Sequence, residues 1–163
     1  MLAIISDIHS NIEALSAVLA DIQARNIKQV VCLGDVIGYG PQPRECLDLI
    51  MRHAQTTLLG NHDYAVLFEP NKFNIGAESA CYWTRQQLED EKDAALRAKR
   101  WDFMGGQAIK HVMDGKGLNL EEMVFVHASP RRPVNEYIFP DDVYSNPARR
   151  GRSFSSSSCW RVQ

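Results

Sequence analysis

The sequence predicts an α/β fold built on a mainly parallel sheet, and three observations carry that expectation. Short apolar runs alternate with stretches of helical periodicity through the first half of the chain. Such strand–helix alternation implies βαβ units, whose parallel strands are joined through helical crossovers. Each apolar run also ends in a residue able to bind metal, the arrangement expected where functional groups gather beyond the carboxyl ends of parallel strands. Finally, 163 residues with 45% hydrophobic and 23% charged composition suit one soluble domain with a real core.

The first run, Leu2 to Ile5, reads as a buried strand ending at Ser6-Asp7-Ile8-His9. Ser10 followed by Glu13 has the form of a capping box, after which Ile12, Leu15, Leu19 and Ile22 fall at helical spacing. A second strand, Gln29 to Leu33, ends at Gly34-Asp35, and Pro43 opens a helix that runs through Met51. The third run, Thr56 to Leu59, ends at Gly60-Asn61-His62-Asp63. Residues Ile75 to Arg100 are helix-compatible, with Ala77, Ala80, Cys81, Thr84 and Leu88 as the buried stripe. The mixed charges from Glu89 to Arg100, with Arg97, Lys99 and Arg100, read as a solvated face, and Tyr82-Trp83 as helix packing. A fourth strand, Met123 to Val126, ends at His127. The domain is expected to span 1–144. Beyond it, 145–163 is rich in arginine and serine with no period, and disorder is expected there.

Composition narrows the function classes. Eighteen basic against twenty acidic residues give a net charge of −2, which offers no electrostatic case for a nucleic-acid or membrane partner. The arginines of the tail, Arg149, Arg150 and Arg152, are too few to change that. Cys32, Cys46, Cys81 and Cys159 form no Cys-x-x-Cys pair; Cys32 and Cys46 read as small buried hydrophobes. No signal peptide precedes Asp7 and no apolar run is long enough to span a membrane, so the expected location is the cytoplasm.

The chemistry-bearing residues are Asp7 and His9, Asp35, Asn61 and His127. Mixed carboxylate, imidazole and amide donors suit manganese, iron or zinc better than calcium. On a continuing strand, Asp7 and His9 would face the same way. Asp-x-His, Gly-Asp-x-x-Gly, Gly-Asn-His-Asp and a later Val-His, in that order and each after a strand, resemble the motif set of the calcineurin-like metallophosphoesterases. The stretches Gly34 to Pro41, Gly60 to Val66 and Arg132 to Pro140 look most like the small bacterial and archaeal metallophosphatases of that superfamily.

The resemblance implies a four-layer α/β/β/α sandwich and a metal-dependent phosphatase or phosphodiesterase that works through a hydroxide bridging two divalent cations. Manganese is the first expectation for those cations, with iron, nickel or zinc as alternatives. By the same resemblance Asp7 and His9 ligate the first metal, Asp35 bridges both, and Asn61 and His127 ligate the second. His62 would contact the phosphate or protonate the leaving oxygen, with Asp63 orienting it. The partner is then a small phosphate ester. The superfamily acts on monoesters, cyclic nucleotides, dinucleotides and phosphoproteins, and the fold does not choose among them.

Two departures from the family pattern stand out. Ala128 replaces the glycine that follows the fourth-motif histidine, which would be strained at a positive φ. No Gly-His-x-His motif is present and no histidine follows His127, so each metal would keep three protein ligands. The expectation is a reading frame shifted or truncated near Tyr144, weaker metal binding and, through unpaired strand edges, self-association. The alternative function is a catalytically impaired copy that binds metal or phosphate weakly. His53 and His111 are expected at the surface or between helices rather than as replacement ligands, and Arg131 and Arg132 as solvated unless they approach a substrate phosphate.

Overall fold

Strand β1 (Leu2–Ile5) leads into helix α1 (Ile12–Ala24), and β2 (Gln29–Cys32) into α2 (Pro43–His53), followed by the short β3 (Thr56–Thr57). Then come α3 (Asn61–Leu67), α4 (Ile75–Glu89), α5 (Ala94–Gly105) and the strands β4 (Lys110–Asp114) and β5 (Glu122–Val126). A computed structural model gives this architecture and describes residues 1–116, 122–139 and 141. The tail at 145–163, and with it the expectation of disorder, lies outside the described residues.

The three N-terminal strands pair in parallel in the order β1-β2-β3, Leu2 opposite Gln29 and Cys32 opposite Thr57. Helices α1 and α2 make the crossovers, as the alternation required. The third apolar run is mostly not ladder: beyond Thr57, Leu58 makes a parallel bridge to Ala108, and the Leu59 N–H donates to the Ala108 carbonyl at 2.9 Å. The fourth apolar run joins a separate two-stranded sheet. β5 pairs antiparallel with β4, Lys110 opposite Val126 and Asp114 opposite Glu122, because only residues 115–121 separate them and a connection that short permits a hairpin but no crossover.

Side-chain alternation sorts the layers. Ala3 and Ile5 of β1 and Val30 and Cys32 of β2 face α1, α2, α4 and α5, where Leu15, Leu19, Ile22, Cys46, Leu47, Ile50, Cys81, Leu88 and Met104 complete the main core. The opposite face offers Leu2, Val31, Leu33 and Leu58 to Met113, Met123 and Phe125 of the hairpin. Among the described residues the chain thus stacks helices, parallel sheet and hairpin, the first three layers of the expected sandwich.

Local details differ from the sequence reading. Helix α1 is capped by Asn11, whose side chain accepts from the Ala14 N–H, while Ser10 is buried in the preceding turn. The long helical stretch breaks in two because the Asp93 carboxylate accepts from the Ala95 and Leu96 N–H groups and starts α5 afresh. Arg100 is not on a solvated face. It is 5% exposed and its guanidinium bonds both Asp48 oxygens (3.0 and 2.8 Å) and Glu91 (2.7 Å), tying α5 to α2. Tyr82 and Trp83 are both more than 40% exposed, so they are not helix packing; the Tyr82 hydroxyl donates to Glu69. Among the described residues, no helix is long and apolar enough to cross a membrane.

Candidate metal centre

Two loops at the carboxyl ends of β1 and β2 carry nearly all the backbone strain. Left-handed φ angles occur at Asp7, His9, Ser10, Asp35 and Tyr39, and at Gly34 (+110°) and Gly38 (+95°); elsewhere among the described residues only Asn26 and Lys72 share them. Conformations of that kind cost of order 1 kcal/mol or more for residues with a side chain and persist where surrounding contacts fix them. Here the contacts are backbone hydrogen bonds: Asp7 N–H to the Gly34 carbonyl (3.1 Å), His9 N–H to Asp35 (3.0 Å) and Ser10 N–H to Val36 (3.0 Å). Asp7 and His9 therefore do not share a face by strand alternation. β1 ends at Ile5, and the turn itself aims both side chains at Asp35.

Asp35 is the hub, 2% exposed. Its Oδ2 lies 3.7 Å from Nε2 of His9 and 3.5 Å from Nε2 of His127, and its Oδ1 accepts from the His62 N–H at 2.8 Å. His9 Nε2 is also 3.9 Å from Asp7 Oδ1, and His127 Nε2 is 3.0 Å from the Asn61 side-chain oxygen. Ligand-capable atoms of Asp7, Asp35 and His127 lie within 4.8 Å of one another, as do those of His9, Asp35 and His62. All five residues singled out as ligands converge, with His62 among them and Asp35 common to both groups.

The donor set fits divalent metal on its own geometry. His9 Nδ1 sits 3.3 Å from the Ile37 carbonyl and His127 Nδ1 3.1 Å from the Leu33 carbonyl. A carbonyl can only accept, so each Nδ1 carries a proton. That is how ligating imidazoles are held by the groups behind them. His127 Nε2, which also faces the Asn61 oxygen, offers a lone pair to a cation only once its own proton is lost. Burial opposes ionisation of Asp35, yet the hydrogen bond and charge of His127 hold its pKa below the ordinary value. Burial likewise opposes protonation of His127, and Asp35 overrides it and raises the pKa. Each thus favours the charged form of the other, and a proton held on His127 Nε2 has to leave for a cation to bind there.

The Asp63 carboxylate, expected to orient His62, turns to backbone N–H groups. Its Oδ2 accepts from the N–H groups of Asp35 (2.7 Å) and Gly60 (3.0 Å), and its Oδ1 from Ile37 (3.2 Å), so it clamps the β2 and β3 loops together. Burial, and then the charge of Asp35, push its pKa up to about 7 against those three donors. His62 is 4% exposed and burial lowers its pKa. Its ring is enclosed by Tyr39 (4.5 Å between centroids), His9 (4.9 Å) and Phe73 (4.9 Å). A Cβ at Gly38 would come within 2.7 Å of His62 Nδ1, and one at Gly34 within 2.4 Å of Gly60 N, so both glycines are required by space as well as by φ. Sequence reasoning missed Tyr39, Phe73 and Cys81, which meet His62 only through tertiary packing. A cavity of about 260 Å³ opens beside Asn61, lined by Tyr64, Glu69, Asn71, Phe73, Val134 and Asn135.

The family model for calcineurin-like phosphoesterases matches residues 1–152. The chain belongs to that family. A curated relative, an uncharacterised protein from Methanocaldococcus jannaschii, is 41% identical over 146 residues, which is 88% of this chain and 56% of that one. The crystal structure of a metallophosphoesterase from Sphaerobacter thermophilus superposes with a TM-score of 0.69 at 34% identity, covering 94% of this chain and 56% of that one. A hypothetical protein from Pyrococcus horikoshii shares the fold at 20% identity, with a TM-score of 0.71 over 92% of this chain and 64% of that one. The chain thus spans a little over half the length of these relatives.

The remaining candidates fall outside the centre. His53 is exposed on α2, and His111 stacks on Phe125 with 6.2 Å between ring centroids. Arg131 is exposed and paired with Glu136. Ala128 is not at a positive φ, so replacing glycine there costs no strain; its N–H donates to the Pro133 carbonyl at 2.7 Å.

Proposed function

We propose that this chain carries a dinuclear phosphoesterase centre in which Asp7, His9, Asp35, Asn61 and His127 hold two divalent cations, manganese first among them. One observation carries the reading: a single buried carboxylate oxygen, Asp35 Oδ2, faces the Nε2 atoms of two imidazoles that are each fixed from behind by a backbone carbonyl. Such cations supply Lewis acidity that offsets charge building on a phosphoryl group and lowers the pKa of water towards neutrality.

The chain's own residues do the rest. Asp63 locks the Asp35 loop against the Asn61 loop, so the donors of β2 and β3 keep their spacing without the strands lengthening. His62, kept largely neutral by burial, donates an imidazole N–H to the departing ester oxygen. The cavity beside Asn61 takes the substituent of the phosphate. Among the described residues its lining has no lysine or arginine and includes Glu69, which favours an uncharged substituent over a second anionic group.

The test is hydrolysis of a chromogenic phosphodiester and the matching monoester, with manganese and with a chelator. Metal-dependent turnover abolished by Asp35→Asn supports the reading. No metal-dependent turnover from a cooperatively folded sample overturns it, in favour of a chain that binds metal or phosphate without catalysis.

A further inference from the structure

We propose that Cys81 is the positioning residue for His62, its thiol donating to Nδ1 so that the ring's proton resides on Nε2. The contact places Sγ 3.7 Å from His62 Nδ1, within the range of a sulfur hydrogen bond. Cys81 lies on the buried stripe of α4 that packs against α3, 1% exposed, and His62 sits in the first turn of α3.

The assignment follows from what surrounds the ring. Tyr39, His9 and Phe73 meet it through their ring faces and edges, which fix its plane but do not distinguish one nitrogen from the other. The close approach of Gly38 stops the ring from swinging away on that side. Asp63, its neighbour in sequence, has both oxygens committed to backbone N–H groups. Among the described residues, Cys81 is then the group that hydrogen-bonds a ring nitrogen of His62.

The direction of that bond comes from the chemistry of the pair. A neutral imidazole offers one N–H donor and one strong acceptor, whereas sulfur accepts only weakly. Burial pushes the Cys81 thiol up to about 11, so it keeps its proton at neutral pH and can donate. The better pairing is S–H to Nδ1, which leaves the ring hydrogen on Nε2. On the phosphoesterase reading, on which only this consequence rests, Nε2–H is the donor offered to the leaving oxygen.

The experiment is nitrogen NMR of the ¹⁵N-labelled full chain, metal-free and at a pH above the imidazole range, with His62 assigned by the signals lost in His62→Gln. Long-range proton–nitrogen correlations are expected to show Nε2 protonated and Nδ1 unprotonated. Cys81→Ala and Cys81→Val, which remove the donor at two different volumes, shift both nitrogens towards the averaged values of exchanging tautomers, and Cys81→Ser restores them. A proton on Nδ1 in the wild type, or an unchanged tautomer in the folded Ala or Val variant, overturns the proposal. The readout needs neither metal nor substrate, so its failure is distinct from failure of the phosphoesterase reading. In the manganese-loaded protein, Cys81→Ala should lower kcat roughly threefold to tenfold, the worth of one modest hydrogen bond, while KM stays the same and Cys81→Ser recovers kcat.

Discussion

Gly60→Ala tests whether the centre depends on the close approach of the β2 and β3 loops. At φ −82° and ψ 173° Gly60 has a backbone any residue adopts, so the cost of a methyl group there is steric alone. The added Cβ would lie 2.1 Å from Asp35 Oδ1 and 2.2 Å from Asp35 N, where ordinary contact begins at 3.4 Å. The loops must separate by about an ångström, enough to take a 2.8–3.0 Å hydrogen bond beyond useful range. The His62 N–H to Asp35 and Asp35 N–H to Asp63 bonds (2.8 and 2.7 Å) are the pair at risk. Both involve carboxylates, worth roughly 1.5–3 kcal/mol each, so the expected loss is about 3–6 kcal/mol, a large part of a typical domain's ~5–15. Urea unfolding of the metal-free protein measures it, and manganese titration should show at least a tenfold loss of affinity in whatever remains folded. Gly105→Ala is the control, since nothing lies within 4 Å of a Cβ there and alanine favours the helix. A Gly60→Ala protein with wild-type stability and metal affinity would refute the reasoning.

Other substitutions separate the structural roles. Asn11→Ala should destabilise by about 1 kcal/mol through loss of the α1 cap, whereas Ser10→Ala should be neutral or slightly stabilising, because the buried Ser10 hydroxyl has no partner among the described residues; urea midpoints decide between the two as cap. Arg100→Met should cost about 2 kcal/mol, below the full cost of breaking a buried pair because Asp48 and Glu91 both reach solvent; thermal melts at fixed pH report it. For Asp63 the folded pKa lies above the ordinary value, so its contribution to stability is complete below about 3.8 and is lost as pH rises to about 7. Metal-free wild type should therefore lose stability relative to Asp63→Asn across that interval, and parallel curves of stability against pH would contradict the assignment.

How much of this was legible in the sequence depends on whether the cause was local. Strands β1 and β2 and helices α1 and α2 follow from apolar runs and helical spacing, and Asp7, His9, Asp35, Asn61 and His127 each stand where such a run ends. What the sequence could not supply came from contacts between distant segments. The hairpin partner β4 contains Lys110, His111 and Asp114, too polar to register as a strand until β5 pairs with it. Arg100 looked solvated because Asp48, its partner, is 52 positions away. Asp63 beside His62 suggested a dyad, but the first turn of α3 sends its carboxylate to the Asp35 loop instead. Cys81 lay in the expected buried stripe, and nothing local marked its contact with His62.

The most direct test of the central claim is a manganese titration of the metal-free chain, followed by calorimetry and by electron paramagnetic resonance. Two ions per chain with spin–spin coupling, lost in Asp35→Asn, is the result expected if Asp35 joins two sites. A single uncoupled ion, or binding that Asp35→Asn leaves untouched, would contradict it.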